Sequence, residues 1–180
     1  MEIALKKFFL LYLISIISLF GYEYDPLIMD IEAKLFPKIA LMEKNIQNKT
    51  DTSLDIVIIA KEVDISYAKL FQKKITKRYP SALLGRKIIP SVILFSKYKK
   101  LTKLPDVIIV LAYRPKEMQS ISKWANQHKI VSFVYDPKDL QYGFLGSVFI
   151  GLSVKPYLNK SIIKEYGFEF EPYLLQLSKF

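Results

Sequence analysis

Two short runs limit what this chain can fold into more than any other feature. "LDIVIIA" at 54–60 and "DVIIVLA" at 106–112 are apolar almost without interruption and rich in β-branched residues. A strand with one wet face alternates apolar and polar residues. A strand apolar on both sides must be covered on both sides, and that condition is met in a parallel sheet sandwiched between helices. "RKIIPSVILFS" at 86–96, "KIVSFVY" at 129–135 and "GSVFIGLSV" at 146–154 complete a set of strands. Pro90 inside the first of these cannot donate to a ladder and predicts an edge position or a bulge.

Helical patterns separate the strands. Ile28, Ile31, Leu35, Ile39, Met42 and Ile46 recur in steps of three and four after Asp25-Pro26, a cap and first-turn pair. Pro37 lies inside that pattern and predicts a kink or break near Phe36. The polar run "NIQNKTDTS" at 45–53 reads as a loop. Ala68, Phe71, Ile75 and Tyr79 mark a second helix ending before Pro80, and Met118, Ile121 and Ala125 mark a third over 115–127. "KPYLNKSIIKEYG" reads as a helix stopped by Gly167, and "EPYLLQLSK" as a last one opened by Pro172. Strands alternating with helices give a single-domain α/β fold, Rossmann-like, with a mostly parallel sheet of about five strands flanked by helices.

The N-terminus has the layout of a secretory signal. Lys6 and Lys7 precede Phe8 to Phe20, which carry no charge, and small Gly21 is the expected last residue of a signal peptide covering residues 1–21. The run is short for a membrane-spanning helix, which needs about 20 apolar residues. Residues 22–180 are then the exported, periplasmic α/β domain, with an uncleaved anchor as the other reading. The sequence has no cysteine, which removes disulfides, thiol nucleophiles and thiolate metal sites. Its formal charge is +10. In an exported protein with dispersed lysines, that charge points to anionic headgroups, cell-wall polymers or an acidic partner rather than to nucleic acid.

The catalytic inventory is thin. His128 is the only histidine and sits where a helix ends, a position suited to capping its last carbonyls. No Gly-flanked serine turn, phosphate-cradling loop or metal-spaced histidine pair is present, so no cofactor and no reaction are expected. The chemistry-bearing residues that remain lie where the predicted strands end. Lys61 follows the first buried strand. Tyr113 and Arg114 follow the second, just before Pro115 opens a helix, and Asp136 follows "KIVSFVY". Two cations at neighbouring strand ends suit a small anionic ligand, and equally suit a solvated loop. Asp136, directly before Pro137, reads as a turn or helix cap, or as a ligand contact. With Asp139 it is the one carboxylate pair available for acid–base work. Tyr98, Tyr142 and Tyr157 lie outside the strand cores and read as contact residues, whereas Trp124 reads as core cover.

The tail "GSVFIGLSVKPYLNKSIIKEYGFEFEPYLLQLSKF", through Asn159, Ile163, Gly167, Phe168, Leu174, Leu175 and Leu177, resembles the end of the YfiR/HmsC-like exported proteins. "EAKLFPKIALMEKNI" is similar to that family's N-terminal helix, and the stretch from Leu54 to Ile88 to its first βαβ segment. The resemblance implies a periplasmic regulator, usually dimeric, that binds the outer domain of a membrane signalling protein such as a diguanylate cyclase or sensor kinase. With no cysteine, control through a disulfide is not open to this chain. The same α/β unit is also similar to a single lobe of a periplasmic solute-binding protein from an uptake system.

Overall fold

The computed structural model describes residues 24–111 and 114–180. Seven strands form one sheet: β1 (Ser53–Ala60), β2 (Ala82–Leu83), β3 (Arg86–Leu94), β4 (Val107–Val110), β5 (Val131–Val134), β6 (Gly146–Ile150) and β7 (Val154–Leu158). Their spatial order is β2-β3-β1-β4-β5-β6-β7. Pairing is parallel from β3 through β1, β4 and β5 to β6, and antiparallel for the outer pairs β2–β3 and β6–β7. The five parallel strands are the five read from the sequence. The two additions are edge strands: β2 has only two residues, and β7 falls largely in a stretch whose pattern suggests a helix.

Helices α1 (Pro26–Ala40) and α3 (Ile65–Arg78) cover one face, and α4 (Pro115–Gln127) covers the other. β1 shows why its run carries no alternation. Leu54, Ile56, Ile58 and Ala60 join the core under α1 and α3 with Met29, Phe36, Phe71 and Ile75, while Val57 faces Met118, Ile121 and Ala125 of α4. Phe36 stacks on Phe133 of β5 with ring centroids 4.4 Å apart, which ties α1 to the middle of the sheet. The short α2 (Lys44–Gln47), α5 (Lys160–Tyr166) and α6 (Pro172–Leu177) pack at the margins.

Pro90 behaves as its chemistry requires. It pairs with Ile56 of β1, and β2 on the other side reaches only Arg86 and Lys87, so its outer edge asks for no N–H there. The break expected near Phe36 falls elsewhere. α1 runs through Pro37 to Ala40, and the interruption comes at 41–43, where Glu43 caps α2 by accepting from the Ile46 N–H at 3.0 Å.

The C-terminal third departs most from expectation. The strand read over 146–154 is a hairpin, β6 and β7, with Gly151 in the connection rather than inside a strand. A Cβ on Gly151 would stand 2.8 Å from the Phe149 ring, so a side chain has no room there. Lys155 to Leu158, the expected start of a helix, instead continue from Val154 as the edge strand β7, which tolerates Pro156 because antiparallel β6 lies on one side of it. The helix begins only at Lys160, where Asn159 caps it through the Ile162 N–H at 3.3 Å.

Candidate functional site at the carboxyl edge of the sheet

The strand order creates one special place. From β1 the chain winds outward to β3, then returns past β1 to β4 and continues the other way. Open α/β sheets bind ligands outside the carboxyl ends of the strands at such a reversal, here between β1 and β4. Lys61 leaves β1 at this point, and Arg114 opens α4 after β4.

The structure brings these two cations together, but around a carboxylate that the sequence reading passed over. Glu117 lies in the first turn of α4. Its Oε2 is 2.9 Å from the Lys61 Nζ and accepts the Arg114 backbone N–H at 3.2 Å. The hydrogen bond from Lys61 is the largest cause that lowers the Glu117 pKa below its ordinary value. The signal was legible: a Glu three residues after a helix cap is the capping-box position. A rim of two cations is therefore a rim of two cations and an acid, and the Arg114 side chain stays exposed beside it. Tyr113 lies outside the described residues.

Asp136 follows β5, two strands from Lys61. It caps the 3-10 turn Pro137–Tyr142 by accepting the Lys138 N–H at 2.9 Å, and it also lines an open hollow of about 480 Å3. Ile28 from α1, Val148, Phe149 and Ile150 from β6 and Tyr157 from β7 give the hollow apolar walls. Lys138 and Lys179 supply cations at its edge, and the Lys179 Nζ sits 3.8 Å from the centre of the Phe149 ring. Tyr135 closes the α1 side, where its hydroxyl accepts the Asp25 N–H at 2.7 Å. Phe149 and Lys179 gave no sequence signal, because the hairpin and tail that bring them together were read as a single strand and a helix.

The carboxylates here do not behave alike. Glu32, one turn along α1 from Ile28, is fully buried, and neither of its oxygens has a hydrogen-bond partner. Burial first and the charge of Asp136 second hold its carboxyl well above the usual range. Burial and then Asp136 push Asp139 up to about 6. Asp136 is thus within electrostatic reach of two other acids.

Other sequence candidates find structural roles. His128 is the C-cap of α4, with its Nδ1 2.8 Å from the Trp124 carbonyl oxygen. Tyr98, expected as a contact residue, is buried against Trp124, and Tyr142 and Tyr157 pack partly against the second core cluster. Of these aromatics Tyr98 is core cover, whereas Tyr142 and Tyr157 are half-buried and Tyr157 also lines the hollow. Among the described residues no acid or histidine cluster is arranged to hold a metal, and no helix is long and apolar enough to cross a membrane.

No protein-family model matches the chain, and no curated protein matches it. Solved structures do. A conserved domain protein from Vibrio cholerae superposes with a TM-score of 0.56 at 14% identity, covering 84% of this chain and 60% of that one. A domain from Streptococcus pneumoniae solved in complex with L-Trp gives 0.56 at 12% identity, over 83% of this chain and 60% of the other. The ligand-free, open form of a substrate-binding protein with adhesive properties from Clostridium difficile gives 0.55 at 15%, over 84% and 59%. This chain therefore has the α/β fold found in substrate-binding proteins, and it spans about 60% of the length of the Vibrio cholerae structure.

Proposed function

We propose that this chain is a solute-recognition lobe that takes a small ligand at the carboxyl edge of its sheet. The observation that carries this reading is the open hollow beside Asp136, apolar on its walls and bearing both signs of charge on its edge. Its position at the carboxyl ends of β5 and β6, on the same edge as the β1–β4 reversal, is where an open α/β sheet offers backbone ends and side chains to a ligand. An apolar wall between an acid and two lysines suits a zwitterion with an apolar side chain. The Streptococcus pneumoniae structure in complex with L-Trp makes an aromatic amino acid the first solute to try. Binding proteins of this fold commonly close a second lobe over the ligand, and a second wall here would come from outside the described residues.

Calorimetric titration of the protein with L-Trp, the other amino acids and small carboxylates tests the reading. Saturable binding that Phe149→Ala weakens supports it. No saturable heat with any of these solutes overturns it.

A second reading follows the YfiR/HmsC resemblance, with the outer domain of a membrane signalling protein, or a second copy of the chain, as the partner. Exposed Ile150 in the wall of the same hollow, followed by exposed Leu152 and Val154 in the hairpin, favours it, because apolar side chains beside an open site suit a polypeptide wall. Co-purification with such an outer domain, at low and at high salt, separates this reading from the first. Association without solute binding selects the regulator.

A further inference from the structure

The outer surface of the α1–α3 layer has a property the carboxyl edge lacks: it is nearly all of one sign. α3 carries Lys69, Lys73, Lys74, Lys77 and Arg78 with no acid, and α1 adds Lys34 and Lys38. The acids on these two helices are Asp30, whose Oδ1 is 2.8 Å from the Lys74 Nζ, and buried Glu32. The helices lie side by side and run the same way. The Tyr24 and Tyr67 rings are 4.9 Å apart at one end, and the Tyr79 hydroxyl donates to the Lys34 carbonyl oxygen at 2.6 Å at the other. A hollow of about 430 Å3 opens between them, with Ala33 and Leu70 as its floor, Lys73, Lys77 and Arg78 around it, and the Asp30–Lys74 ion pair on its wall.

Such a surface works against the helix that carries it. Lys69, Lys73 and Lys77 stand four residues apart, as do Lys74 and Arg78, and like charges at that spacing destabilise a helix by a few tenths of a kcal/mol per pair. Ordinary soluble surfaces intersperse the two signs. α3 also ends away from the candidate ligand site: it leaves the carboxyl end of β1 and returns to the start of β3, so its cationic last turn lies at the opposite edge of the sheet.

We infer that the α1–α3 layer is a docking face for an anionic phospholipid surface. Several lysines and an arginine on neighbouring turns attract the negative potential of acidic headgroups, the groove accepts phosphates, and Leu70 offers an apolar contact in their midst. Docking through the last turns of α3, at the amino end of the sheet, leaves the carboxyl edge beside the lipid contact rather than under it. The inference does not rest on the solute-binding reading, and either can fail alone.

The test is co-sedimentation of the full chain with vesicles of phosphatidylcholine alone and of phosphatidylcholine with phosphatidylglycerol. The readout is the ratio of the two affinities, so that any apolar contribution from residues 8–20 cancels. Phosphatidylglycerol should raise binding, added salt should reverse the gain, and K73E/K77E should lower the ratio by at least about tenfold, given that each surface cation contributes about fivefold. K116E/K123E, on exposed residues of α4 at the other face, should leave the ratio nearly unchanged. Equal binding to both vesicles, or an equal loss from the α4 pair, overturns the inference. So does a K73E/K77E-sensitive affinity for DNA or an acidic protein without any preference for phosphatidylglycerol.

Discussion

Glu32 stands in the apolar stripe of α1 between Ile31 and Leu35 and is buried with both oxygens unpaired. Its raised pKa fixes the sign of its effect. A carboxyl easier to protonate in the fold than in the unfolded chain favours the fold below its ordinary value of 4.5, and that contribution is lost as pH rises toward the folded value. Asp139 acts in the same direction between 3.8 and about 6. Glu117 opposes both, since its lowered pKa gives a contribution present above its ordinary value and lost as pH falls. Denaturant unfolding at pH 4.5 and pH 7 should therefore show Glu32→Gln gaining stability on the wild type as pH rises, because the amide does not titrate and never carries the charge that burial penalises. A difference that does not change with pH would show that Glu32 titrates normally. At the rim, Lys61 and Arg114 were legible as cations at strand ends. Glu117 was visible too, at the capping-box position of α4, but its ion pair with Lys61 depends on two side chains meeting across neighbouring loops, which the pattern does not show.

Among the elements, burial on both faces made the strands legible. β1 and β4 announced themselves because a run without polar residues has few other places to go, and Pro90 marked an edge because its missing N–H allows little else. The β6–β7 hairpin was not legible. Gly151 fits a strand interior or a turn, Pro156 fits a helix start or an edge strand, and the choice depends on Phe149 and Leu158 having partners far along the chain. Two substitutions test these packing accounts by chemical denaturation. Phe133→Ala removes the ring stacked on Phe36 and should cost about 3–5 kcal/mol with little change in m-value. Gly151→Ala should cost about 1 kcal/mol, because the new methyl group must displace the Phe149 ring. It should also weaken any ligand held in the hollow that this ring lines. Unchanged stability in the Phe133 variant would mean that α1 is not anchored through that stack.

For the whole molecule, the fold class and the five parallel strands were legible from the apolar runs, but the wall that Lys179 and Tyr157 add to the site was not. The apolar run ahead of Tyr22 leads to one prediction at this scale: protein recovered from the exported fraction should begin near Tyr22 on N-terminal sequencing. Intact Met1 in the membrane fraction would replace cleavage with an anchor. The proposed solute site is the carboxyl edge of this sheet and not its helical layers. The most direct measurement is a titration of the isotope-labelled protein with L-Trp and other amino acids, followed through its backbone amide NMR signals. Saturable shifts should gather at Tyr135 to Lys138, Val148 to Ile150 and the β1–β4 reversal at Lys61 and Arg114. No saturable change with any solute, or changes centred on α1 and α3, would contradict it.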